Sequence, residues 1–145
     1  ETALLAPFLR LATPPRSFCL VLTNTPIENV PRLGWFWERA ALRVVADGGA
    51  DRLLDALPHA RPDVIIGDLD SIKRDAIDDY TARGVPIYQK EDQDSTDLEK
   101  CLRFVDAQRI KNPSLPERTL IWSGLGGRFD HTLNTLSALH RRALG

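Results

Sequence analysis

Asp68 and Asp70 stand in the run Ile65-Ile66-Gly67-Asp68-Leu69-Asp70-Ser71, a pair of acids placed directly after an apolar segment. In extended backbone, residues two apart point to the same side with α-carbons roughly 6.5 Å apart, so both carboxylates can converge on one cation. A hard divalent ion is the natural guest. Magnesium binds through one or two carboxylates, keeps several waters and shares its shell with substrate phosphates, so the doublet suits a metal and polyphosphate site. Taken alone, an Asp-x-Asp also fits a turn with solvated acids.

Two other segments repeat the arrangement. Val44-Val45-Ala46 runs into Asp47-Gly48-Gly49-Ala50, and Leu120-Ile121-Trp122 runs into Ser123-Gly124-Leu125-Gly126-Gly127-Arg128-Phe129-Asp130. Each is a short apolar strand delivering acids or glycines at its C-terminal end, the edge where open parallel sheets bind ligands. The glycine run can bring backbone N–H groups close to a phosphate, with Arg128 as a charge-assisted donor and a helix from Asp130 supplying its positive end. It is neither a Walker A loop nor a clean GxGxxG, and as an isolated motif it reads as a tight strand-to-helix turn more often than as a nucleotide site. Asp92-Gln93-Asp94-Ser95-Thr96-Asp97-Leu98-Glu99-Lys100 is a polar stretch entering a helix. The helix dipole favours acids there, which makes Asp94 as readily a cap as a ligand. Asp97 and Lys100 are i, i+3 neighbours off the apolar stripe, so one could complete a cation site while the other gives charge to a phosphate.

The elements that must position these residues alternate. Strands are predicted at Phe18 to Leu22, Arg43 to Ala46, Asp63 to Ile66, Val85 to Tyr88 and Leu120 to Trp122. Helices are predicted through Trp35-Phe36-Trp37, over Ala50 to Leu57 before Pro58, and over Lys73 to Arg83 with Gly84 as its cap. Thr96 and Glu99 form a capping box opening a helix to about Gln108, with Leu98, Cys101, Leu102 and Val105 as its stripe. A last helix is predicted over Asp130 to Arg142. The pattern is that of an α/β fold: a doubly wound, Rossmann-like, mostly parallel sheet with helices on both faces.

Composition excludes several classes. The 145 residues, 43% of them apolar, suffice for one domain with a real core, expected over residues 18–145 behind an N-terminal arm of residues 1–17. Nineteen basic against 20 acidic residues give a net charge of −1, so no global field favours nucleic acid or an anionic membrane. No apolar stretch approaches the roughly 20 residues of a membrane span. Cys19 and Cys101 lack CxxC spacing and read as buried thiols of a reducing, cytoplasmic compartment, and His59, His131 and His140 lack zinc-ligand spacing.

Four segments, Ala46 to Ala50, Gly67 to Ser71, Asp92 through Lys100, and Gly126 to Asp130, occur together in this order. The set closely resembles thiamine pyrophosphokinase, and the resemblance runs from about Phe18 to Leu139. It implies transfer of the terminal diphosphate of ATP to the hydroxyethyl oxygen of thiamine, giving thiamine diphosphate and AMP. Carried onto matching positions, it implies Asp68, Asp70 and Asp97 as ligands of Mg²⁺. Asp47, Gly48, Lys100, Gly126, Gly127, Arg128 and Asp130 would lie around the nucleotide and the transferring group, and Gln93 would touch the thiamine. Asp70, Asp97 and Asp130 are all eligible to accept the hydroxyl proton. Asp51 stands where the family often has asparagine. The family also continues into a β-sandwich domain that completes the thiamine pocket in a homodimer. The resemblance therefore implies that these residues alone are the ATP-binding half, binding Mg-ATP but turning thiamine over poorly. Other readings are a pyrophosphokinase for another alcohol such as a pterin, an aspartate-nucleophile phosphatase built on Asp68 and Asp70, and a nucleotide-binding module without turnover.

Overall fold

A computed structural model describes residues 18–92 and 94–122. Its first strand, β1 (Cys19–Leu22), is buried along its whole length, as expected of a central strand covered on both faces. It pairs in parallel with β2 (Leu42–Ala46) on one side and β5 (Thr119–Trp122) on the other. β3 (Val64–Gly67) and β4 (Ile87–Gln89) extend the sheet beyond β2, giving the all-parallel order β4-β3-β2-β1-β5. The register is set by pairs such as Val21↔Val44 and Val44↔Val64.

Between the strands lie α1 (Val30–Arg39), α2 (Asp47–Ala56), α3 (Arg74–Ala82) and α4 (Asp97–Lys111). Asn29 caps α1 by accepting the Arg32 N–H at 2.9 Å. The capping box of α4 forms: the Thr96 N–H donates to Glu99 Oε2 at 2.9 Å, and the Glu99 N–H to Thr96 Oγ1 at 3.2 Å. Gly84, with φ of +71°, ends the α3 turn in a conformation that costs a side-chain-bearing residue.

Strand order decides the layers. From β1 to β4 the chain steps in one direction, so right-handed crossovers put α1, α2 and α3 on one face, while the return from β4 to β5 puts α4 on the other. The alternation of strand side chains follows. Leu20, Leu22, Val45 and Ile65 pack with Leu33, Phe36, Leu53 and Tyr80 on the three-helix face. Cys19, Val21, Val44, Val64 and Ile66 pack with Leu98, Cys101, Leu102 and Val105 of α4. Both cysteines are buried free thiols. Among the described residues no helix is long and apolar enough to cross a membrane.

The expected elements are present, with two informative shifts. β4 starts at Ile87 instead of Val85, because Pro86 has no N–H to give the ladder and contributes only its carbonyl, which accepts the Ile65 N–H at 3.0 Å. More consequentially, α2 starts at Asp47, three residues before the expected Ala50, so Asp47-Gly48-Gly49 is a helical turn following β2 without a loop. The expected arm at 1–17 and the expected helix over Asp130 to Arg142 lie outside the described residues.

Candidate functional site

The abrupt passage from β2 into α2 drives Asp47 into the interior, where it is fully buried. Its Oδ1 accepts the Gly48 N–H at 2.6 Å, and its Oδ2 reaches across to accept the Leu69 N–H at 3.0 Å. One carboxylate thus joins the ends of β2 and β3. The joint is tight: a Cβ on Gly67 would stand 2.6 Å from both Cβ and Oδ2 of Asp47, and one on Gly48 would overlap the Asn24 amide. Gly67→Ala is expected to destabilise the domain by about 1–3 kcal/mol through this overlap, read as a lowered urea midpoint. A midpoint equal to the parent's would show that Asp47 can move aside.

The β3 strand ends at Gly67, so Asp68 and Asp70 do not converge by extended pleating as their spacing suggests. They converge through a turn in which Leu69 takes φ of +69°, a left-handed conformation that a branched residue holds only under constraint. The constraint is visible in the bond from Leu69 N–H to Asp47. Within the turn the Asp70 N–H donates to Asp68 Oδ1 at 3.3 Å, and the Ser71 hydroxyl to Asp70 Oδ1 at 3.0 Å. As a result, one carboxylate oxygen from each of Asp47, Asp68 and Asp70 lies within 4.8 Å of the others.

Three carboxylates this close repel. Two unit charges at that separation cost about 3 kcal/mol at an effective dielectric near 20, and water screens the exposed Asp70 further. Burial first, then the charges of Asp97 and Asp68, push the Asp47 carboxyl up to about 6, against the opposing Gly48 and Leu69 N–H groups. Asp68 is held below the ordinary carboxylate range, chiefly by hydrogen bonding with the Asp70 side chain. Hard oxygen donors with surplus negative charge fit a divalent cation such as magnesium.

The raised Asp47 value makes a pH prediction. The folded state keeps this proton to a higher pH than the unfolded chain, whose aspartates titrate near 3.8. The resulting stability is fully present below the unfolded value and lost as pH rises through about 6, an amount on the order of 3 kcal/mol. Without magnesium, the difference in urea stability between parent and Asp47→Asn should shift by that amount between pH 4 and pH 7. A constant difference across the window would remove Asp47 as the source.

On the other side of the sheet edge, Lys100 Nζ donates to Asp97 Oδ1 at 3.2 Å. The expectation that both residues sit off the buried face holds for half-buried Asp97 and fails for Lys100, whose side chain is 5% exposed. The first turn of α4 lies close over the sheet, and a lysine stem is apolar enough to pack there while its ammonium meets the acids. Neighbouring Cys101 is raised by burial first and then by the Asp97 and Asp47 charges, which leaves it an inert thiol.

Asp51 turns elsewhere: its Oδ2 accepts the Lys73 N–H at 3.0 Å, anchoring the entry to α3. Gln93, Gly126, Gly127, Arg128 and Asp130 lie outside the described residues. Gly67 and Leu69 stand in a motif without a role of their own in the sequence reading, which places Asp47 by the nucleotide and not among the clustered carboxylates. Only Gly67 carried a signal, since a glycine inside a strand marks a close approach.

The catalytic domain of thiamin pyrophosphokinase, as a family, matches residues 33–144. The chain belongs to the thiamin pyrophosphokinase family. Thiamine pyrophosphokinase 2 of Arabidopsis thaliana is 39% identical over 139 residues, covering 86% of this chain and 51% of the relative. Thiamin pyrophosphokinase 1 of Caenorhabditis elegans is 36% identical, covering 94% of this chain and 55% of its own length. The fold is that of yeast thiamin pyrophosphokinase, with a TM-score of 0.76 at 24% identity over 89% of this chain and 55% of that one. The Bacillus subtilis thiamine pyrophosphokinase superposes with a TM-score of 0.65 at 27% identity, over 85% of this chain and 55% of that one. The chain spans about half the length of the curated relatives it matches. Within the thiamin pyrophosphokinase family match, the Gly67 to Ser71 turn, the opening of α2 and the start of α4 meet at one sheet edge.

Proposed function

We propose that the protein carrying this chain transfers diphosphate from ATP to the hydroxyl of thiamine, yielding thiamine diphosphate and AMP. One observation carries the reading: the carboxylates of Asp47, Asp68 and Asp70 gather within 4.8 Å while Lys100 stands beside Asp97 at the same edge. The acids would hold Mg²⁺, Asp97 completing the set from the α4 side, and the ion when bound supplies neutralisation of phosphate charge. Asp47 joins the metal side in this reading, in addition to bordering the nucleotide. Gly48 lies against the nucleotide with it, and Lys100 offers its ammonium to the transferring group. Arg128, Gly126, Gly127 and Asp130 are assigned to the phosphates and Gln93 to thiamine by resemblance.

The thiamine hydroxyl oxygen forms a bond to the β-phosphorus as the bond from that phosphorus to the bridging oxygen of AMP breaks. The bridging oxygen leaves with AMP. The hydroxyl proton passes to a carboxylate, with Asp70, Asp97 and Asp130 eligible. Such transfer needs positioning and charge stabilisation above all, which a buried lysine next to clustered acids provides without reorganisation. Residues 18–145 would form the catalytic unit behind the arm of 1–17, and the whole protein would act as a homodimer. Buried free thiols support a reducing, cytoplasmic setting.

The test supplies Mg-ATP to the complete protein with and without thiamine and quantifies AMP, ADP and phosphate. AMP formed only with thiamine is the expected result. Thiamine-independent phosphate would point to a phosphatase, and ATP binding without any product to a regulatory module.

A further inference from the structure

We propose that Asp51 is a positioning residue: by holding the backbone of Lys73 it fixes the arc from Asp68 to Ile72 and so keeps the Asp70 carboxylate against those of Asp47 and Asp68. Asp47 and Asp51 stand four residues apart on α2 and project from the same side of the helix. Each grips the loop between β3 and α3 by a main-chain N–H. Asp47 Oδ2 accepts from Leu69 at 3.0 Å, and Asp51 Oδ2 accepts from Lys73 at 3.0 Å. Between the two grips Ile72 is buried in the core cluster that holds Leu53 and Tyr80, while Asp70 and Ser71 stay exposed. The exposed acid therefore rides on a loop fixed at its entry and at its exit by one helix.

Its own helix does not account for Asp51. It is the fifth residue of α2, past the turn in which the helix dipole favours an acid, and Asp47 four residues before it is a like charge. Its partner supplies the reason. Lys73 is the N-cap of α3 and makes no side-chain capping bond, so Asp51 gives this helix start the acceptor that a capping-box glutamate would give from within the helix. The exit grip reaches the chemistry through Leu69. Its φ of +69° directs the chain after it back toward Asp68, and a residue bearing a side chain keeps that conformation only where its surroundings enforce it. Asp70, Ser71 and Ile72 separate the two gripped amides, a span too short to absorb slack. With the exit free, Leu69 relaxes toward negative φ and the Asp70 carboxylate swings away from the acidic cluster.

This inference rests on the proposed function for the cation that the acids hold, and its test is separable from turnover. The complete protein is compared with Asp51→Ala, Asp51→Asn, Lys73→Pro and Arg83→Ala. Lys73→Pro deletes the donor instead of the acceptor, and proline fits the Lys73 φ of −71°, so the test stays readable where Asp51→Ala fails to fold. Arg83→Ala controls for lost stability alone, since its guanidinium bonds the Pro58 carbonyl and Asp79 at the far end of α3. Without metal or substrate, the Leu69 amide should exchange hydrogen about tenfold faster in Asp51→Ala and Lys73→Pro than in the parent, through local opening of the loop. Mg²⁺ is then titrated alone and followed by thermal protection. Its half-saturating concentration should rise about 10–100-fold in the same two variants, the scale of losing a group that orients a metal ligand. Asp51→Asn, which keeps an acceptor oxygen, and Arg83→Ala should stay within about threefold of the parent. Parent-like exchange and Mg²⁺ affinity in Asp51→Ala and Lys73→Pro would overturn the inference, as would an equal loss in Arg83→Ala, which would make Asp51 a matter of stability alone. If no thiamine-dependent AMP is made, the proposed reaction fails while the exchange and Mg²⁺ measurements still decide the role of Asp51.

Discussion

Asp70→Asn is expected to lower thiamine-dependent AMP formation by the complete protein by about 10²–10³-fold, the scale of losing one electrostatic stabiliser in a preorganised site. Asp68→Asn should do the same. Neither change should disturb the fold by more than about 0.5 kcal/mol, because Asp70 is exposed, Asp68 is only half-buried, and asparagine keeps the oxygens that accept the Ser71 hydroxyl and the Asp70 N–H. Removing a charge from a cluster packed within 4.8 Å relieves repulsion in the free protein, so the thermal midpoint should hold or rise slightly. The informative readout is the magnesium titration: each variant should need more Mg²⁺ for half-maximal rate and gain less thermal protection from it. Magnesium dependence equal to the parent's in both variants would remove the pair as ligands.

Lys100→Met is the second large effect, with turnover falling about 10²–10³-fold. Methionine preserves most of the stem that packs beneath α4 and deletes only the ammonium, which separates charge from packing. Lys100→Arg should fail to rescue, since the planar guanidinium places its donors differently from a compact ammonium. The fold should survive at a cost of about 1–3 kcal/mol, because Asp97 loses its partner but remains half-open to water. Magnesium should then stabilise the variant more than it stabilises the parent, having acids to neutralise that no lysine now faces. Turnover within threefold of the parent would show that the buried ammonium serves packing alone.

Both effects turn on a site only partly legible in the linear chain. The strand–helix alternation could be read because its signals are local: β-branched runs such as Val64-Ile65-Ile66, the Thr96 and Glu99 box, and the stop at Pro58 each act within a few residues. The acids at strand ends could be read for the same reason, since a short apolar run followed by Asp or Gly locates the edge of a parallel sheet without knowledge of strand order. Those four motifs, taken in sequence, also carried the resemblance that the family match bears out.

Convergence was another matter. Asp47 lies 21 and 23 positions from Asp68 and Asp70 in the chain, and nothing in its own neighbourhood says that β2 and β3 pair in parallel and bring it beneath the Leu69 turn. Helical spacing placed Lys100 off the apolar stripe, yet α4 lies alone on its face of the sheet among the described residues, with its first turn close enough to cover the lysine stem. Which residue types stand at the strand ends and helix starts is legible in the linear chain, because those are chosen by local backbone chemistry. Which of them meet, which carboxyl is pushed up to about 6 and which cation is buried follow from strand pairing and crossover handedness, because charge interactions and burial depend on the distances these set.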